Sequence, residues 1–149
     1  MEGKLVVVTG ATAGIGKEAA RGLARMGAQV VVVGRNPQKT EAVVEEIRGT
    51  ATGAVDLAMA DFASLASVRQ LAETLADRYP RIDVLLSNAG VFRTRRTVTG
   101  DAFEEMFAVN HLAAFLLTNL LVERLKMSAP SRVVVVASTA HYGQSLDFD

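Results

Sequence analysis

The apolar run Leu5–Val8 leads into Thr9-Gly10-Ala11-Thr12-Ala13-Gly14-Ile15-Gly16, and a helical pattern follows at once. Glycines at such a place serve two separable needs. Gly10 lets the chain turn out of a strand through backbone angles closed to other residues. Gly14 and Gly16, at the helix mouth, let backbone N–H groups and the positive end of the helix dipole come close to an anion, and a pyrophosphate suits that arrangement. Gly10, Thr12, Gly14, Ile15 and Gly16 are therefore candidate phosphate-facing residues. Their position after the first strand and before the first helix reads as dinucleotide binding. A second signal lies near the end of the second apolar run, where a ribose with a free 2′-hydroxyl would want a carboxylate. No Asp or Glu occurs between Glu18 and Glu41; Gly34 holds the expected acidic position, Arg35 follows it, and Lys39 lies a helical turn beyond. A guanidinium meeting a 2′-phosphate gives a charge-assisted contact worth roughly 1.5–3 kcal/mol. NADP(H) is the expected cofactor.

Composition excludes much of the competing chemistry. The 149 residues contain no cysteine and only His111 and His141, so a disulfide scaffold, a thiolate metal site, a cysteine nucleophile and a histidine-rich metal centre are all disfavoured; no metal is expected. Ser138 and His141 stand three residues apart with no Gly-x-Ser-x-Gly elbow, which argues against a hydrolase. Sixteen Lys and Arg balance sixteen Asp and Glu, so there is no electrostatic footprint for nucleic acid or an anionic membrane. The Arg93, Arg95 and Arg96 cluster reads as a solvated loop. The longest uncharged stretch, Met106 to Val122, carries Asn110, His111 and Asn119 and reads as a buried helix rather than a membrane span. With no targeting pattern ahead of Leu5 and no cysteine, the expectation is a cytoplasmic protein.

Short β-branched runs alternate with longer helical patterns. Strands are expected at Leu5–Thr9, Val30–Val33, Val55–Met59, Ile82–Ser87 and Val133–Ala137, and helices at Gly16–Met26, Pro37–Arg48, Ser64–Tyr79 and Ala102–Met127. The strands are almost continuously apolar, as befits strands covered on both faces of a parallel sheet. Asn36-Pro37 supplies a cap and an N-terminal proline, Gly27 a helix stop, and Asp101 with Glu104 the spacing of a capping box variant. Phe103, Met106, Phe107, Leu117, Leu120 and Leu121 form a stripe read as core. The string βαβαβαβαβ with right-handed crossovers implies one doubly wound α/β domain, a Rossmann fold over residues 1–149, ending after the fifth strand.

Thr9-Gly10-x-x-x-Gly14-Ile15-Gly16 resembles the cofactor motif of the short-chain dehydrogenase/reductase family, and further segments match in order. Asp61-Phe62 resembles the family's Asp-hydrophobic pair, which holds the adenine ring. Ser87-Asn88-Ala89-Gly90 resembles its Asn-Asn-Ala-Gly motif, with serine in place of the first asparagine. Asn110 matches the asparagine of the long fourth helix, and Val109-Asn110-His111, Phe115–Thr118, Ser128–Arg132 and Ala140-His141 look most like the retinol-dehydrogenase-like branch.

The resemblance implies an oxidoreductase that passes hydride between NADP(H) and a small-molecule alcohol or carbonyl. It places Ser138 on the substrate oxygen, with Thr139 as the neighbouring alternative, and gives Asn110 a supporting part in a water-linked proton relay. It assigns Asp61, Phe62, Asn88, Ala89 and Gly90 to the cofactor. It also makes the long helix a dimer face, and a homo-oligomer is expected.

The family's acid/base pattern, Tyr-x-x-x-Lys, is missing: Asp83 and Leu146 stand four residues after Tyr79 and Tyr142. Proton transfer by a positioned group contributes typically ~10²–10⁴-fold. The chain by itself is therefore expected to be inactive, as the N-terminal half of such an enzyme; a nucleotide-binding module without turnover is the alternative, and a flavodoxin-like domain fits the glycine spacing less well. On the family's strand order 3-2-1-4-5-6-7, the fifth strand would be an uncovered edge prone to association.

Overall fold

β1 (Leu5–Thr9) is buried along its whole length, because it lies at the centre of a five-stranded parallel sheet of order β3-β2-β1-β4-β5. In the computed structural model, which describes residues 1–143, β2 (Gln29–Gly34) and β4 (Val84–Ser87) flank it, and β3 (Val55–Met59) and β5 (Arg132–Val135) form the edges. Val6 stands beside both Val30 and Val84, and Leu86 beside Val134.

Alternate strand residues feed two cores. Val6, Val8, Val30 and Val32 pack under α1 (Gly14–Arg25) and α2 (Pro37–Arg48); Val7, Val31, Val33 and Leu85 pack under α3 (Leu65–Arg78) and a long helical run on the other face. The apolar residues of the inner strands thus pack under helices on both faces, which is why these strands read as nearly unbroken apolar runs. The expected doubly wound fold is present.

The long run consists of α4 (Glu105–Phe107), a π-helical turn (Ala108–Leu112) and α5 (Ala113–Met127). It starts three residues later than the sequence pattern places it. Ala102 takes φ +64°, alone among the described non-glycine residues in the left-handed region. The chain there folds into a short antiparallel turn, with a bridge between Val98 and Glu104 and the Glu105 N–H on Thr97 O at 2.9 Å. Asp101 and Glu104 form no capping box. Glu104 alone caps α4, accepting from the Met106 and Phe107 N–H groups, while Asp101 Oδ2 accepts from the Leu65 N–H at 2.7 Å and so helps cap α3 instead.

The apolar stripe also divides. Leu117 and Leu121 are buried, but Phe103, Phe107 and Leu120 are exposed, and Phe107, His111 and Phe115 stack along the outer face. The uncharged stretch is therefore buried on one side only. Glu105–Met127 is the one helical run among the described residues long and apolar enough to cross a membrane, and a third of its most apolar window is buried. β5 is exposed throughout, with Val133 to Val136 between 40 and 62 % accessible. Leu146 and the closing Asp147–Asp149 lie outside the described residues.

Candidate functional site

The carboxyl ends of β1, β2 and β4 open onto a cleft of about 370 Å³. Its first wall is the start of α1. Gly10 and Gly14 adopt φ +64° and +54°, angles an L side chain resists. The helix then begins at Gly14 from the extended residue Ala13, with no side-chain acceptor at its N-cap and no acidic residue in its first turn. The neighbouring helices differ. Asn36 caps α2 by accepting from the Lys39 N–H at 2.9 Å, and Ser64 and Asp101 cap α3. Of the three helices that leave β1, β2 and β3, only α1 presents its first N–H groups and the positive end of its dipole without a side-chain partner, and it does so into the cleft.

Gly34 and Arg35 at the end of β2 form the second wall, Asp61 and Phe62 the third, and Asn88, Ala89 and Gly90 the fourth. Phe62 is also part of the core beneath. Asp61 Oδ1 accepts from the Ala63 N–H at 3.0 Å, an Asx turn that leads into α3. Thr12, Ala13, Val91 and Val109 complete most of the lining.

Two loops are braced against each other beneath this surface. Thr9 Oγ1 accepts from the Asn88 and Ala89 N–H groups at 3.0 and 3.1 Å. Asn88 Nδ2 donates back to Thr9 O and Gly10 O at 3.0 and 3.1 Å. A Cβ at Gly10 would sit 2.7 Å from Ala89 Cα, and one at Gly16 would collide with the Asn88 amide and Gly10 O. Gly16 therefore serves packing between the loops and is buried away from the cleft. Thr9 heads the family-like glycine motif, but its bracing of the second loop shows only in the fold, its one sequence signal being a lone hydroxyl that ends an otherwise apolar strand.

Three of the expected cofactor residues do not line the cleft: Gly16, Ile15, which is 70 % exposed, and Lys39, which lies exposed on α2. Asn110 lies in the uncharged stretch expected to be a buried helix, but is not itself buried. It is exposed on the π turn and grips the backbone of one residue with both ends of its amide, accepting from the Val91 N–H at 2.7 Å and donating to Val91 O at 2.9 Å. That pair fixes the stretch after Gly90 against the helix.

Ser138 follows β5 at its carboxyl end, caps a 3₁₀ turn (Thr139–His141) by accepting from the Ala140 N–H, and does not line the cleft. Tyr79 lies at the C-terminal end of α3, where its hydroxyl donates to Asp56 at 3.0 Å; burial first, and that acceptor second, push its pKa up to about 12. Arg93, expected in solvent, forms a bidentate pair with Glu105 at 2.8 Å on both arms. Hydrogen bonding from Arg93 holds the Glu105 carboxyl below its ordinary value, against a smaller opposing effect of desolvation, and the Arg35 charge adds to the lowering.

The short chain dehydrogenase family matches residues 4–145. Retinol dehydrogenase 13 of Homo sapiens is 47 % identical over 148 residues, covering 99 % of this chain and 45 % of the relative. The putative daunorubicin C-13 ketoreductase DnrU of Streptomyces sp. (strain C5) is 49 % identical over 149 residues, covering 100 % of this chain and 51 % of the relative. The chain thus spans about half the length of the curated relatives it matches. A metagenomic short-chain oxidoreductase solved in complex with NADP superposes with a TM-score of 0.85 at 28 % identity, over 97 % of this chain and 66 % of that one. With the glycine turn, the sheet order and the braced cleft in place, these matches establish that the chain belongs to the short chain dehydrogenase family.

Proposed function

We propose that this chain is the nucleotide-binding half of an NADP(H)-dependent oxidoreductase that acts on a small alcohol or carbonyl. The single observation that carries the reading is the uncapped start of α1 opening into a cleft whose far wall bears Arg35. The first N–H groups of α1 would hold the pyrophosphate, with Gly10 and Gly14 bringing the backbone close enough to do so. Arg35 would pair with the 2′-phosphate, and no side chain at Gly34 would oppose it. Asp61 and Phe62 would flank the adenine. When bound, the dinucleotide supplies a hydride donor or acceptor at nicotinamide C4.

Asn110 would act as a positioning residue, holding Val91 and the Gly90 segment that closes the fourth wall. Ser138 would hydrogen-bond the substrate oxygen. Neither tyrosine suits the acid/base role: Tyr79 is tied to Asp56 away from the cleft, and Tyr142 follows Ser138 by four residues. On this reading the 149-residue chain binds nucleotide without turning substrate over. The NADP complex of the metagenomic oxidoreductase supports the choice of nucleotide.

Calorimetric titration with NADPH and NADH tests it. NADPH should bind at least about tenfold more tightly, and Arg35→Ala should remove that advantage while leaving NADH nearly unchanged. Tighter binding of NADH by the parent chain would overturn the assignment.

A further inference from the structure

Gly34 stands where a carboxylate that reads a ribose 2′-hydroxyl would be placed, yet its φ lies outside the left-handed region and so does not itself demand glycine. Space demands it. A Cβ at position 34 would lie 2.6 Å from Thr12 Cγ2 and 3.3 Å from Thr40 Cβ, and would overlap Thr40 Oγ1 outright. The two threonines differ in how they can give way. Thr12 is half-buried on the cleft wall, where a turn about χ1 moves its methyl aside. Thr40 is fully buried in the first turn of α2, and its hydroxyl donates to Asn36 O at 2.7 Å. Asn36 is itself fixed as the cap of that helix. Rotating Thr40 would break this part-buried hydrogen bond and set a methyl group against the same crowded neighbours.

We infer that Thr40, which does not line the cleft, is a specificity-determining positioning residue of the nucleotide site: it fills from beneath the space that a side chain at position 34 would need. This rests on the nucleotide reading above and deepens it. Arg35 attracts a 2′-phosphate, and Thr40 bars the acid that would favour a free 2′-hydroxyl. Discrimination by exclusion complements the attractive contact.

The test uses the full chain, with melting temperature and titrations of NADPH and NADH as readouts. Gly34→Asp in the parent should lower the melting temperature by roughly 5 °C or more and should gain no NADH binding. In a Thr40→Ala background the same change should recover at least half of that loss and move the NADPH-to-NADH affinity ratio towards NADH by about tenfold. Thr40→Ser keeps Oγ1 and should rescue neither property.

Equal stability of Gly34→Asp with and without Thr40→Ala would overturn the inference, as would rescue by Thr40→Ser, or a stable double variant whose affinity ratio does not move. If the aspartate variants fail to fold, Gly34→Ala decides the steric claim: it should be destabilising beside threonine or serine at position 40 and nearly neutral beside alanine. Absence of any nucleotide binding in the parent would defeat the nucleotide reading, while the coupling of positions 34 and 40 in melting temperature would still stand or fall separately.

Discussion

Ala102 holds a backbone conformation that its own side chain opposes, at φ +64°. A residue with a Cβ in the left-handed region gives up roughly 1–2 kcal/mol relative to glycine, less the extra chain entropy that glycine loses on folding. Ala102→Gly should therefore stabilise the chain by about 1 kcal/mol, read as a raised urea midpoint at constant slope. No gain would show that the turn before α4 is looser than its hydrogen bonds imply. Ala102 also marks where single-residue reasoning reached its limit. The turn at Gly10 was readable because a positive φ is a local need, whereas its close approach to Ala89 and the positive φ of Gly14, read as room for an anion, were not. The reason for Gly16 is the Asn88 amide, Thr9 finds its partners at Asn88 and Ala89, and Asn110 finds its partner at Val91. Contacts across such separations leave no mark on the spacing of neighbouring residues, so the roles of these side chains had to come from the fold.

Among the elements, α2 agrees with its sequence pattern at both ends, because Asn36 and Pro37 act within the helix they start. α4 does not, since Asp101 is drawn off to the N-terminus of α3 and the helix cannot begin until Glu104 caps it. The π turn at Ala108–Leu112 was equally hidden, as an apolar helical period reads the same through one widened turn. α3 carries a testable consequence of its own at Tyr79, whose phenol packs in the core and donates to Asp56 on β3. Its pKa is raised from 10.0 to about 12, so the neutral form is favoured by the fold. That contribution to stability is fully present below pH 10 and is lost as pH rises through about 12. Stability measured by denaturant titration should fall across that interval, and Tyr79→Phe should flatten the fall. An unchanged slope in the variant would assign the alkaline loss to other groups.

At the scale of the molecule, alternation of apolar runs with helical patterns was enough to specify a doubly wound sheet; right-handed crossovers allow more than one strand order, and the observed β3-β2-β1-β4-β5 is the one the family resemblance implies. It also left β5 at an edge. Among the described residues its outer backbone has no strand partner, and Val133 to Val136 lie exposed beside it, a combination that favours pairing with another chain. The 149-residue chain should accordingly self-associate in light scattering, and Val134→Lys should shift it towards monomer; a monodisperse parent would argue against the edge as an association surface.

The central claim concerns the other end of the sheet, where α1 meets the cleft. Amide chemical shifts recorded during an NADPH titration address it directly, because the claim names the groups that bind. The Ala13 and Gly14 N–H signals, which line the cleft, should move most, together with Arg35, and should saturate with one binding curve. Saturable binding that leaves those amides in place, or no perturbation at any nucleotide concentration on folded protein, would contradict the account.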